Sequence, residues 1–141
     1  MTIEDDVELK QILKTIKTVA SVGVSSNDEK PSYWIFNYLL EHGYRMIPVN
    51  PTATEILGQK TYPDLASIPE KVDVVQVFRK PEDVPPVVEQ AIVIGATIVW
   101  MQEGVVNEKA AHLAEAAGLK VVMNCCMMKT HQRLLGEQFH L

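Results

Sequence analysis

"TVASVGVSSNDEKPSYW" (residues 18–34) runs from a β-branched strand through Gly23 into a polar turn, and then into Pro31, which is suited to open a helix. A strand that ends at glycine and feeds a helix is the first unit of a nucleotide-binding α/β fold. The dinucleotide version of that loop carries three glycines. Here Gly23 stands alone, Ser25 takes the second place and no third follows. Gly23 permits the tight turn, while Ser25, Ser26 and Asn27 offer hydroxyl, amide and backbone donors to a phosphate near the helix start. Lys30 adds a positive charge. The same residues also read as a plain strand-to-helix connection with caps and a solvated lysine, and both readings stand at this point.

Outward from this loop the chain alternates. Leu9, Ile12, Leu13 and Ile16 recur at helical spacing behind the acidic cluster Glu4, Asp5 and Asp6. After the first strand, Ile35, Tyr38, Leu39 and His42 share a helix face that Gly43 ends. RMIPVNP (45–51) is a second strand, and a short edge strand is expected near Gln59–Tyr62 in a segment punctuated by Gly58, Pro63 and Pro69. VDVVQVF (72–78) lacks clean alternation, as a strand covered on both faces does. Asp83 caps a helix with Val84, Val87, Val88, Ala91 and Ile92 inward. TIVWM (97–101) is a strand, Asn107 caps a helix carrying Ala110, Leu113, Ala114 and Ala117 that ends at Gly118, and KVVMN (120–124) precedes a last short helix ending at Gly136. Alternating elements with short connections predict one domain, residues 1–141, with the helix of residues 1–17 packed on a parallel sheet. Ligands of such sheets sit beyond the carboxyl ends of the strands.

Composition narrows the function. The 141 residues carry a net charge of −5 and 6% aromatics, which argues against nucleic acid as a partner. No apolar run approaches the ~20 residues that span a bilayer, so no membrane role is expected. The N-terminus is acidic where a signal peptide is basic, and the two cysteines, Cys125 and Cys126, are adjacent. A reducing, cytoplasmic setting is the expectation.

The strand ends supply the candidate site. Asn50, followed by Pro51, stands where an NAD site places an acid for the ribose 2′-hydroxyl. Asn50 can bond an adenine or ribose edge without repelling phosphate; an Asn-Pro turn is also common. Phe78, Arg79 and Lys80 end the third long strand, where an exposed aromatic beside a guanidinium can flank a flat ring and pair with phosphate; by themselves they read more readily as a buried Phe78 followed by two solvated cations. Trp100 and Gln102 end the next, Trp100 suited to the core or to stacking and Gln102 to the rim.

These stretches resemble a known family. VGVSSNDEKPSY, LLEHGYRMIPVNP, EILGQKTYPDLASIP, VDVVQVFRKPEDVP, GATIVWMQEGVVNEKA and AGLKVVMNCCM look like the small stand-alone CoA-binding proteins, over nearly the whole chain and in the same order. Their Rossmann-like fold is similar to the N-terminal domain of the succinyl-CoA synthetase α subunit. The resemblance implies a doubly wound, three-layer α/β/α domain of five to six strands in order 3-2-1-4-5-6. It also implies coenzyme A, or an acyl-CoA, bound across the strand ends. The pyrophosphate would lie by Gly23, Val24, Ser25, Ser26, Asn27 and Ser32, with Lys30 available to a phosphate. The adenosine would lie near Asn50 and Pro51, and the pantetheine arm would pass Phe78, Arg79, Trp100 and Gln102. The chain departs from the family where members often read Asp-Arg-Cys; here stand Asn124, Cys125 and Cys126, with Thr130 before His131. Cys125 could instead lie near the CoA sulfur for disulfide exchange, or simply be a small residue at a strand end.

No catalytic constellation is legible. There is no G-x-S-x-G elbow, and His42, His112, His131 and His140 are scattered. Cys125, Cys126 and His131 lack the four spaced ligands of a structural zinc site. The expectation is a non-catalytic module binding coenzyme A or an acyl-CoA, as carrier, sensor or partner for other proteins. The alternatives are an NAD(P)-binding oxidoreductase and a protein-interaction module with an empty site.

Overall fold

A computed structural model describes residues 1–136; His140 and the rest of the tail lie outside the described residues. The elements run α1 (Asp6–Thr15), β1 (Thr18–Val22), α2 (Pro31–Glu41), β2 (Arg45–Val49), β3 (Glu55–Ile56) and β4 (Gln59–Lys60). They continue with β5 (Val74–Val77), α3 (Val84–Val93), β6 (Ile98–Met101), α4 (Glu108–Ala116), β7 (Lys120–Val122) and α5 (Met127–Leu135). Five strands form one parallel sheet in the order β2-β1-β5-β6-β7. The strand order reverses between β1 and β5, because the chain winds outward to β2 on one side and to β5, β6 and β7 on the other.

Each strand contributes to two cores because successive side chains point to opposite faces. Val19, Met46, Val74, Ile98, Trp100 and Val122 pack under α1, α2 and α5 through residues such as Leu13, Phe36 and Met127. Ala20, Val22, Val75, Val77, Val99 and Val121 pack under α3 and α4, with Leu65 and Val72. Local signals start and stop the helices as read. Asp5 accepts the amide of Glu8 at 3.1 Å and Asn107 that of Ala110 at 2.9 Å, each an N-cap. Asp83 holds the N-cap position of α3 without a side-chain cap bond, since the prolines that follow supply no N–H.

One expectation is corrected. The edge strand at Gln59–Tyr62 is reduced to a single bridge, Val49 to Tyr62 in parallel sense, while Gln59–Lys60 pair antiparallel with Glu55–Ile56. Tyr62 donates to the Pro48 carbonyl and accepts from the Asn50 amide, both at 3.0 Å, and Pro63 has no N–H to extend the ladder. On α4, Ala110, Ala111 and Ala114 are buried, while Leu113 is 41% exposed. Small residues at 110, 111 and 114 let this helix lie close on the sheet.

One polar thread crosses the α1/α2/α5 face. Ser21, Gln76 and Trp100 are in register across β1, β5 and β6. The Ser21 hydroxyl donates to Gln76 Oε1 at 2.8 Å, and Gln76 Nε2 donates to Gln102 Oε1 at 3.2 Å. All three polar residues are buried, so each bond replaces water that the site excludes. Ser21→Ala leaves Gln76 Oε1 without its donor. The expected loss is about 1–3 kcal/mol of unfolding free energy at unchanged m-value, measured by urea denaturation.

Candidate functional site

Beyond the carboxyl ends of the strands, the β1–α2 loop is held by its own side chains. Gly23 has φ +88°, and a Cβ there would lie 2.2 Å from the Phe78 carbonyl oxygen. No other residue type fits, both for the backbone angle and for the close approach. Its amide donates to the Val49 carbonyl at 3.0 Å, while Phe78 donates to the Val22 carbonyl at 2.8 Å. Three strand ends are thereby tied at one point.

From there the polar residues organise the turn. Ser32 Oγ accepts the Ser25 amide at 3.0 Å, Ser25 Oγ the Asn27 amide at 3.0 Å, and Asn27 Oδ1 the Glu29 amide at 2.9 Å. These are the local side-chain-to-backbone bonds that let Ser and Asn replace glycine in a tight loop. The hydroxyl protons of Ser25 and Ser32 and the side-chain NH₂ of Asn27 remain for a ligand. Lys30, exposed at the N-cap of α2, and the half-buried Arg79 form no ion pair among the described residues. The Arg79 side chain passes within 3.3 Å of the Cβ position of Gly23.

Asn50 is committed to the scaffold. Its Nδ2 donates to the Val24 carbonyl at 2.9 Å, and its Oδ1 accepts from the Thr52 amide and hydroxyl at 2.8 and 2.9 Å. Asn50 therefore clamps the β1 and β2 loops together, and Pro51 beside it is exposed. Val24 turns its side chain fully into the core.

Adjoining this loop is an open cleft of about 420 Å³, lined by Pro31, Trp34, Ile35, Phe78, Gln102, Glu103, Cys126, Met128 and Lys129. Its walls are the first turns of α2 and α5, and its floor is the ends of β5 and β6. Trp34 is 53% exposed, its indole N–H donating to the Asp28 carbonyl. Lys129 Nζ meets Glu103 Oε1 at 2.9 Å, and that contact pushes the lysine's pKa above its usual value.

Phe78 thus lies where the sequence places it, whereas Trp100 does not. Trp100 is 0% exposed, packed under α5, with its indole N–H on the Cys125 carbonyl at 2.8 Å. It shapes the loop from beneath and has no surface for a ligand. Gln102, expected on the rim, is 97% buried in the floor, its Oε1 taking the Met127 amide at 3.1 Å as well as Gln76. The thiol is also reassigned. Cys126 lines the cleft, while Cys125 Sγ lies 3.1 Å from Thr130 Oγ1, outside the lining, and burial pushes its thiol up. At the positions where family members carry Asp and Arg, Asn124 Oδ1 accepts the Gly104 amide at 2.7 Å and Cys125 is half-buried. Trp34 and Met128 were missed. The sequence signal was an aromatic off the Ile35/Phe36/Leu39 face of α2, and a second methionine beside the buried Met127.

Residues 17–132 match the family described as "CoA binding domain". A Bacillus subtilis relative, the uncharacterized protein YneT, is 37% identical over 88% of this chain and 92% of its own. A solved hypothetical protein from Pyrococcus horikoshii OT3 superposes with a TM-score of 0.92 at 44% identity, over 96% of this chain and 97% of that one. An Archaeoglobus fulgidus protein named acetate–CoA ligase (ADP-forming) II is 34% identical over 67% of this chain, which spans only 15% of that enzyme.

Gly23→Ala combines positive-φ strain with overlap on the Phe78 carbonyl. We expect it to cost at least about 2 kcal/mol more than Gly118→Ala, where φ is +92° but nothing lies within 4 Å. Paired thermal melts of the two variants measure the difference.

Proposed function

The chain belongs to the CoA binding domain family, and on that premise we propose that it binds coenzyme A or an acyl-CoA without catalysing a reaction on it. The observation that carries this reading is the cleft beside the β1–α2 loop. It joins an apolar trough, formed by Trp34, Ile35, Phe78 and Met128, to a loop bearing spare hydroxyl protons and unpaired cations. A long, amide-bearing thiol arm with a phosphorylated nucleotide at one end has that division of chemistry. The phosphates lie by Ser25, Ser26, Asn27 and Ser32, where the positive end of α2 favours negative charge. Arg79, beside Gly23, serves the same end. The pantetheine arm passes Phe78 and Trp34, and the adenosine lies over the clamped Asn50–Pro51 turn. The protein then acts as a carrier or sensor of the ligand, or presents it to another protein.

The two tryptophans separate cleanly as reporters, since Trp34 lines the cleft and Trp100 is buried. Coenzyme A is expected to change the intrinsic fluorescence of the wild type, and Trp34→Phe to remove that change while binding persists by calorimetry. A ligand at ~100 times its dissociation constant adds ~2.7 kcal/mol of stability. An unshifted melt with coenzyme A alongside a raised one with NADPH would overturn the reading.

Lys30 stands exposed at the start of α2, without an ion-pair partner among the described residues. Lys30→Ala is expected to weaken coenzyme A by about fivefold and dephospho-coenzyme A by much less. Equal losses, read by calorimetry, would remove Lys30 from phosphate recognition.

A further inference from the structure

We propose that Cys126 is a thiol–disulfide exchange site that captures the disulfide form of coenzyme A as a covalent adduct. The inference rests on the reading of the cleft as a coenzyme A site and goes beyond it in chemistry. Two independent features carry it. Cys126 lines the cleft together with Phe78 and Met128, at the space that the thiol arm would enter. Gln102, buried in the same floor, has its Oε1 fixed by the backbone amide of Met127 at 3.1 Å, which settles the orientation of the side-chain amide. Its NH₂ group finds no acceptor among the described residues. Gln102 lines the cleft and its NH₂ is not sealed from solvent, so a ligand carbonyl there can take the place of water as its acceptor, and pantetheine carries two amide carbonyls.

The exchange balances without a further oxidant. Cys126 releases its proton to solvent and its sulfur attacks one sulfur of the coenzyme A disulfide. The Cys126–S–S–CoA bond forms, the original S–S bond breaks, and the second coenzyme A leaves as a thiolate that takes up a proton. Cys126 occupies the N-cap position of α5, whose amide-bearing end favours the negative charge carried through that step. Cys125, the neighbouring thiol, is turned to Thr130 outside the lining, so it is not placed to resolve the adduct. Glutathione disulfide brings carboxylates that a trough of Trp34, Ile35 and Phe78 does not solvate.

The test incubates reduced, desalted protein with coenzyme A disulfide and reads intact mass, followed by peptide mapping of the wild-type adduct. The expected result is one coenzyme A moiety on Cys126, reversed by dithiothreitol. Cys126→Ser should stay unmodified and Cys125→Ser should react like wild type. Glutathione disulfide should react at least about tenfold more slowly. An adduct mapped to Cys125, or glutathione disulfide reacting equally fast, overturns the inference. So does absence of adduct in protein that binds reduced coenzyme A by calorimetry, and then only this inference falls. No binding of reduced coenzyme A removes the reading of the cleft, and this inference with it.

Discussion

Gly23 has the carbonyl of Phe78 where any other residue would have a side chain. That approach lets the ends of β1 and β5 run side by side past the last ladder bonds, with Val49 of β2 bonded to the same glycine from the other side. The strand order reverses at this position, so the helices that follow β1 and β5 depart to opposite faces of the sheet. A crevice opens wherever neighbouring crossovers diverge in this way. The cleft and the loop above it inherit their place from one backbone contact that only glycine allows.

The loop itself reaches rigidity by a different route from a glycine-rich one. Ser32, Ser25 and Asn27 each take a backbone amide of the turn, and Asn50 bonds the Val24 carbonyl from the next strand. Amides that a glycine-rich loop would offer to phosphate are thereby used internally. Hydroxyl protons and nearby cations are left as the donors. Such a loop is ordered before a ligand arrives, which lowers the entropy that binding must offset.

The two walls of the cleft are also joined behind it. Tyr38 of α2 shares a 2.7 Å hydrogen bond with the fully buried His131 of α5, and His42 stacks on Tyr38 at 3.9 Å between ring centroids. Tyr44, whose hydroxyl donates to the Leu13 carbonyl, closes this group against α1, and burial pushes its phenol above the usual range. The thread from Ser21 through Gln76 to Gln102 meets the start of α5 from the sheet side. Both walls are thus set by buried polar contacts, which fix position more narrowly than apolar packing does.

What the sequence determined by itself is what rests on neighbours along the chain. Alternating apolar runs and caps such as Asn107, together with stops such as Gly43, specify elements locally; short connections then leave a parallel, two-faced sheet as the way to bury them. The loop after β1 was legible as a candidate site for the same reason: strand, glycine and helix start lie within about a dozen residues. Only the tertiary structure decided which side chains face the cleft. Trp100 and Trp34 are the same residue type, yet one is sealed under α5 and the other stands half out of α2. Cys125 and Cys126 are adjacent, yet one lines the cleft and the other turns to Thr130. Those outcomes depend on how α2 and α5 pack across the sheet, between residues about ninety positions apart. No local pattern carries that distance.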